Sequence, residues 1–207
     1  MKMWTFAKRC AKEILRDPIN LIFGLSFLTL FSGTLIARDR ESALLQRLYT
    51  TPLTGPDFIL GYMLPMLPIA LGQSAVCYLF AVSLGLTVSV NIVYAVLGIL
   101  PMAVFSISLG LLCGSVLGVK QVGGICGALL TNLSAWLSGV WFDLELVGGA
   151  FKRIAHGLPF YHAVQMEKAL FAGEFETAAE HLLPVLAYGA LTAAAAVWCF
   201  LRKMKEQ

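Results

Sequence analysis

The chain has 207 residues, of which 58% are of the types AVILMFWYC and only 13% are charged. Soluble domains carry roughly twice that charge, so a chain this apolar (mean hydropathy +0.80) cannot cover itself in water. Fifteen Lys/Arg against twelve Asp/Glu give a formal charge of +3, too weak and too scattered to track phosphates. A soluble domain, a disordered chain and a nucleic-acid module are excluded. The composition fits an integral membrane protein with little mass outside the bilayer.

Residues 1–17 place Met3, Trp4, Ala7, Cys10, Ala11, Ile14 and Leu15 on one helical face. Lys2, Lys8, Arg9, Lys12, Glu13 and Arg16 take the other. This pattern predicts a basic amphipathic helix lying in the membrane interface. A cleavable leader is disfavoured, because Ile36 to Arg40 offers no small-x-small cleavage pattern.

Five hydrophobic segments follow: 18–37, 58–84, 92–119, 121–142 and 182–201. About 20 apolar residues cross a bilayer as a helix, and helix is the form expected because an open sheet does not survive in lipid. The expected fold is therefore all-α and membrane-integral, one domain over 1–207. It has about five hydrophobic helices, the N-terminal interfacial helix and short outer helices. Five crossings give Lys/Arg counts of 7 and 8 on the two sides, so the positive-inside rule does not choose. With both termini inside, the counts become 12 and 3. Charge thus favours an even number of crossings, and segment 18–37 is the one in question.

The connection 38–57 runs Arg38-Asp39-Arg40-Glu41-Ser-Ala-Leu44-Leu45-Gln-Arg47-Leu48-Tyr-Thr-Thr51-Pro52. As a helix it has an apolar side of Leu44, Leu45, Leu48 and Tyr49, and Pro52 ends it. It reads as a connector lying on the membrane or as a knob gripped by a soluble partner. The connection 143–181 is too apolar for solvent loop. It reads as short helices at or dipping into the outer interface, with Trp141, Phe142, Phe160 and Tyr161 at headgroup depth.

Small residues recur at Gly110, Gly114 and Gly118, at Gly123 and Gly127, and at Ser134 and Ser138. Such spacing lets helices approach closely, within one chain or across a dimer seam. Asn20, Gln73 and Asn132 are polar residues within apolar segments, and Gln73 and Asn132 are expected to bond to neighbouring helices rather than to substrate. The hydrophobic segments hold no ionisable residue of the Asp, Glu, Lys, Arg or His type. That disfavours a proton-coupled carrier or an intramembrane hydrolase. His156, His162, Glu167 and His181 match no zinc-enzyme spacing. The five cysteines have no paired metal-like spacing. No metal and no cofactor is expected.

Residues 36–53 resemble the cytoplasmic coupling segment of type-2 ABC transporter permeases. Gly61-Tyr-Met-Leu-Pro65 resembles the start of that family's next span. Leu137 to Phe142 and Leu158-Pro159-Phe-Tyr-His162-Ala163-Val164 resemble its last outer portion with re-entrant helices. The resemblance covers roughly residues 1–201. It implies the membrane subunit of an ATP-driven exporter, itself no enzyme, in a bacterial plasma membrane. It implies two partners besides lipid: a separate ABC ATP-binding subunit, and a second permease subunit, identical or not. The ATPase-coupling residues it implies are Arg38, Asp39, Arg40, Glu41, Leu44, Leu45, Arg47, Leu48, Thr51 and Pro52, with Lys120 in a second cytoplasmic turn. The family usually has two spans before this segment, and here 18–37 supplies one, as though an internal deletion joined them. Two other readings stand beside it: a degenerate permease acting as a scaffold, and an outer-interface enzyme using His156, His162 and Glu167. The substrate is not legible.

Overall fold

The computed structural model describes residues 19–42, 55–83, 85–86, 88–140 and 144–205. The expected interfacial helix 1–17 and Leu44 to Pro52 lie outside the described residues. Helix α1 spans Ile19–Glu41, α2 Gly55–Ser83 and α3 Asn91–Val116. One helical run then covers α4 (Val119–Val122), a π segment (Gly123–Leu129) and α5 (Leu130–Leu137). Short helices α6 (Leu144–Val147), α7 (Gly149–Gly157) and α8 (Pro159–Ala172) precede the long α9 (Phe175–Lys205). No strand occurs among the described residues. Three helices are long and apolar enough to cross a membrane among the described residues: Ile59–Ser83, Asn91–Val116 and Phe175–Arg202.

Central helix α3 packs against α1, α2, α8 and α9. Its neighbours fix their directions. Thr29 meets Gly110 and Ile36 meets Gly114, so α1 runs parallel to α3. Tyr94 meets Phe175 and Phe105 meets Tyr188, so α9 also runs parallel to it. Helix α2 runs the other way, with Met63 near Ser108. Arg38 to Glu41, Asp57, Lys120 and Arg202 therefore gather at one end of the bundle, the charged end. Helix α8 starts beside the middle of α3, where Phe160 meets Phe105, and reaches the far end at Gly173 beside Asn91. Helix α1 runs along α3 toward the charged end, so among the described residues the segment in question packs as an ordinary bundle member.

The α1–α3 seam explains the small residues. A side chain at Gly110 would strike Thr29 O and Ser32 Oγ, and one at Gly114 would strike Gly33 O. A Cβ on Gly33 would lie 2.8 Å from Gly110 O. At that range Ser32 Oγ donates across the seam to Ile107 O at 3.1 Å. Gly110 and Gly114 thus serve packing within the chain, one of the two expected uses. Gly123 and Gly124 face open space.

Two boundaries differ from the sequence reading. Helix α1 continues through Arg38 to Glu41 rather than ending at 37, and Asp39, Arg40 and Glu41 find partners at the charged end. Helix α9 begins at Phe175 rather than 182. The turn before it is built by Gly173 (φ 84°), whose position lets Glu174 N–H donate back to Ala169 O at 2.9 Å. Asn91 Nδ2 bonds Phe171 O at 3.2 Å beside this turn. Glu176 and Glu180 are exposed on the first turns of α9, so charge there does not oppose the helix. Asn132 also departs from expectation: its amide bonds Ala128 O of its own helix at 2.8 Å, not a neighbouring helix.

Gly114→Val should cost about 1–3 kcal/mol by overpacking the seam, lowering the thermal midpoint of the detergent-solubilised chain. Gly123→Ala, facing open space, should leave that midpoint unchanged.

Candidate functional site

The charged end holds the residues the sequence marked for coupling. Arg40 reaches from the last turn of α1 to the end of α3. Its Nη1 donates to Gly114 O at 2.7 Å and to Leu117 O at 3.3 Å. These carbonyls lie where a helix runs out of its own donors, so a guanidinium is a fitting partner. Glu41 takes the next step. Its Oε1 accepts from Val119 N–H at 3.3 Å, at the start of the following helix, where free N–H groups favour an anion. Gln121 Oε1 accepts from Gly118 N–H at 3.1 Å and completes the turn. Asp39 faces the other side, where its Oδ2 accepts from Tyr62 OH at 2.7 Å.

Asp39, Arg40 and Glu41 therefore clasp α1 to α2, α3 and α4 at once. Extended backbone at Leu117 (φ −95°, ψ 154°) turns the chain between α3 and α4 under this clasp. Arg38 and Lys120 are exposed. The structure thus brings the start of 38–57 together with the turn carrying Lys120, two stretches about 80 residues apart in sequence. Leu44, Leu45, Arg47, Leu48, Thr51 and Pro52 lie outside the described residues. The sequence reading did not mark Tyr62 for this site, although Tyr62 lies in the Gly61 to Pro65 stretch that resembles the family's next span.

At the far end the four residues suggested for chemistry separate. Glu167 on α8 is buried, 7% exposed, and its Oε1 accepts from Tyr78 OH at 2.6 Å. Burial pushes its carboxyl up to about 7, against the opposing pull of the Tyr78 hydrogen bond. The histidines instead meet one another. His162 Nδ1 lies 2.9 Å from His181 Nδ1, and His162 Nε2 lies 2.9 Å from His156 O. The His156 ring stacks on Tyr161 with centroids 4.1 Å apart. The acid–base set of an outer-interface enzyme, His156 and His162 with Glu167, is not assembled. Among the described residues no group of three or more His, Cys, Asp or Glu is placed to hold a metal ion.

Between the ends, α8 is seated on the bundle by aromatic contacts. Phe160 meets Phe105 edge-on at 5.7 Å, and Tyr188 OH donates to Gly157 O at 2.6 Å. Thus a bundle of long apolar helices carries a polar clasp at one end and a bedded layer of short helices at the other. The family description ABC-2 type transporter matches residues 3–171, most of the chain.

The chain belongs to the ABC-2 type transporter family.

No curated protein and no solved structure matches it. As an ABC-2 family member it is an integral membrane protein and a permease component of a transport system. The matched region covers both the clasp and the outer helices through most of α8.

Arg40→Ala should lower stability by about 1–2 kcal/mol, because carbonyls bonded to a charged donor lose it. Arg40→Lys should recover part of the loss, and thermal unfolding in detergent reads both. Glu167 predicts a pH dependence. The folded chain holds its proton up to about pH 7, while an unfolded glutamate releases it near 4.5. The folded state therefore binds more protons across this window, and its stability falls as pH rises from about 4.5 to about 7. The full change is about 3 kcal/mol at most. Thermal midpoints at pH 5 and pH 8 should differ for the wild type, and Glu167→Gln should remove that component.

Proposed function

We propose that this permease subunit is driven by a separate cytoplasmic ABC ATPase, with the charged end facing the cytoplasm. On this reading the ATPase grips Arg38 to Pro52, whose apolar side, read as a helix, is Leu44, Leu45, Leu48 and Tyr49. Movement of that segment reaches α1 directly, and the clasp passes it to α2, α3 and α4. The single observation that supports the reading is the hydrogen bonding of Asp39, Arg40 and Glu41 to three other helices. A segment pushed by a soluble partner transmits force only where it is fastened, and these residues fasten it. Exposed Arg38 and Lys120 then face the partner. A second permease subunit, identical or not, completes the path between them. The direction is export and the membrane is the bacterial plasma membrane. The substrate class stays unassigned, since the spans show no ionisable cluster that would name one.

A second reading is a permease that binds partners without moving substrate. It is favoured by α1, the one long helix before the coupling segment among the described residues, where the resemblance implies two spans.

The test is co-purification from membranes with the candidate ATPase, with ATP hydrolysis measured in the same sample. Leu45→Asp with Leu48→Asp should reduce the bound ATPase at least tenfold while the variant still inserts and elutes as the wild type does. Retained association would overturn this docking site. Association without any substrate-dependent change in hydrolysis or flux would favour the scaffold.

A further inference from the structure

The histidine pair at the far end serves neither coupling nor packing, and its geometry is specific. His162 Nε2 sits 2.9 Å from a backbone carbonyl, His156 O. A carbonyl only accepts, so Nε2 carries the proton, and the neutral ring must present its lone pair at Nδ1. That lone pair faces His181 Nδ1 at 2.9 Å. A ring nitrogen anchored on a backbone carbonyl turns the other toward a partner, the arrangement by which proteins also orient histidine toward a metal ion; here that partner is His181 Nδ1–H, which donates to it. The two histidines ride on α8 and α9, which are held together by Met166, Ala169 and Ala178 with Leu170 and Leu182. The turn at Gly173 sets their relation. The pair is thus fixed by packing and not by its own contact.

We propose that His162 and His181 form a two-nitrogen site for a divalent transition-metal ion of the copper(II) or nickel(II) kind. Two imidazole nitrogens at about 2.05 Å from one ion lie about 2.9 Å apart at a right angle and about 3.3 Å apart at the tetrahedral angle. The observed 2.9 Å matches the separation of the square arrangement; the ion would replace the hydrogen bond, with the His181 proton moving from Nδ1 to Nε2 and both rings turning toward the ion. Zinc requires the rings to separate further. Both side chains are half-buried, so water reaches the remaining coordination positions. The exposed Glu180 adjoins His181 in sequence and favours a cation there. His156 contributes its carbonyl, while its ring stays stacked on Tyr161. With two protein ligands the site binds more weakly than a closed structural site. It is suited to sensing or collecting an ion outside the bundle core. This inference does not depend on the ATPase reading.

The chain has three histidines, all in this cluster, so a preparation without a histidine tag gives an unambiguous titration. Copper(II) should bind at one ion per chain, with nitrogen hyperfine structure in the electron paramagnetic resonance spectrum. His162→Ala and His181→Ala should each weaken binding at least tenfold, and His156→Ala should change it less than twofold. Zinc(II) should bind more weakly than copper(II), and lowering the pH from 7.5 to 5.5 should release the ion as the nitrogens take protons. If His162→Ala does not fold, His181→Ala carries the test, since His181 lacks the carbonyl anchor. No nitrogen-coupled signal in the wild type would overturn the site and leave a plain hydrogen bond. Unchanged affinity in the His181 variant, or equal loss in the His156 variant, would also overturn it.

Discussion

The close approach of α1 to α3 governs the rest of the bundle. With Gly33, Gly110 and Gly114 at the crossing, the two backbones meet with no side chain between them. Lipid gives no hydrophobic reward for helix contact, so van der Waals fit and interhelical hydrogen bonds must hold the pair. The seam supplies both, through backbone contact and through Ser32 on Ile107 O. The register it sets also delivers Arg40 to the carbonyls of Gly114 and Leu117 one turn later. A shift of one residue along α1 would carry Arg40 away from those carbonyls. The clasp is therefore a consequence of the seam, and any function placed on the clasp inherits its precision from three glycines.

From the seam outward, α3 organises two unlike ends. At one, polar side chains bind helix termini that have lost their own partners. At the other, short helices are bedded by aromatic rings and by a carboxyl–phenol pair under cover. The contrast is physical. The charged end satisfies exposed backbone groups, which is cheap in water. The far end buries Glu167 and sustains that only by a short hydrogen bond and a raised affinity for protons.

Much of this was legible in the sequence. Long uncharged segments could only be helices in lipid, and the small-residue spacing announced close packing. Arg38 to Glu41 stood out as a charged run between apolar segments. Their use was less legible. Asp39, Arg40 and Glu41 read as a surface for a partner, yet their side chains are engaged within the chain, because their acceptors and donors lie on helices 20 to 80 residues away. The start of α9 was placed seven residues late because charge was taken as the edge of the helix. Glu176 and Glu180 instead lie on exposed turns where charge costs nothing. Glu167 and the three histidines looked like one cluster by proximity along the chain. Helical periodicity and the crossing of α8 over α2 divide them, and no local pattern carries that information.

The parallel course of α1, α3 and α9 has an electrostatic consequence. Each helix carries a macrodipole equal to roughly half a charge at either tip. Among the described residues, three of the five long helical runs point their negative tips the same way, and α2 with the run 119–137 cancel only two. The charged end therefore carries about half a negative charge of backbone origin. Arg40 and Arg202 sit at that end on the last turns of α1 and α9. An odd number of packed helical runs thus creates a field that basic side chains must neutralise, even before any membrane potential acts on them.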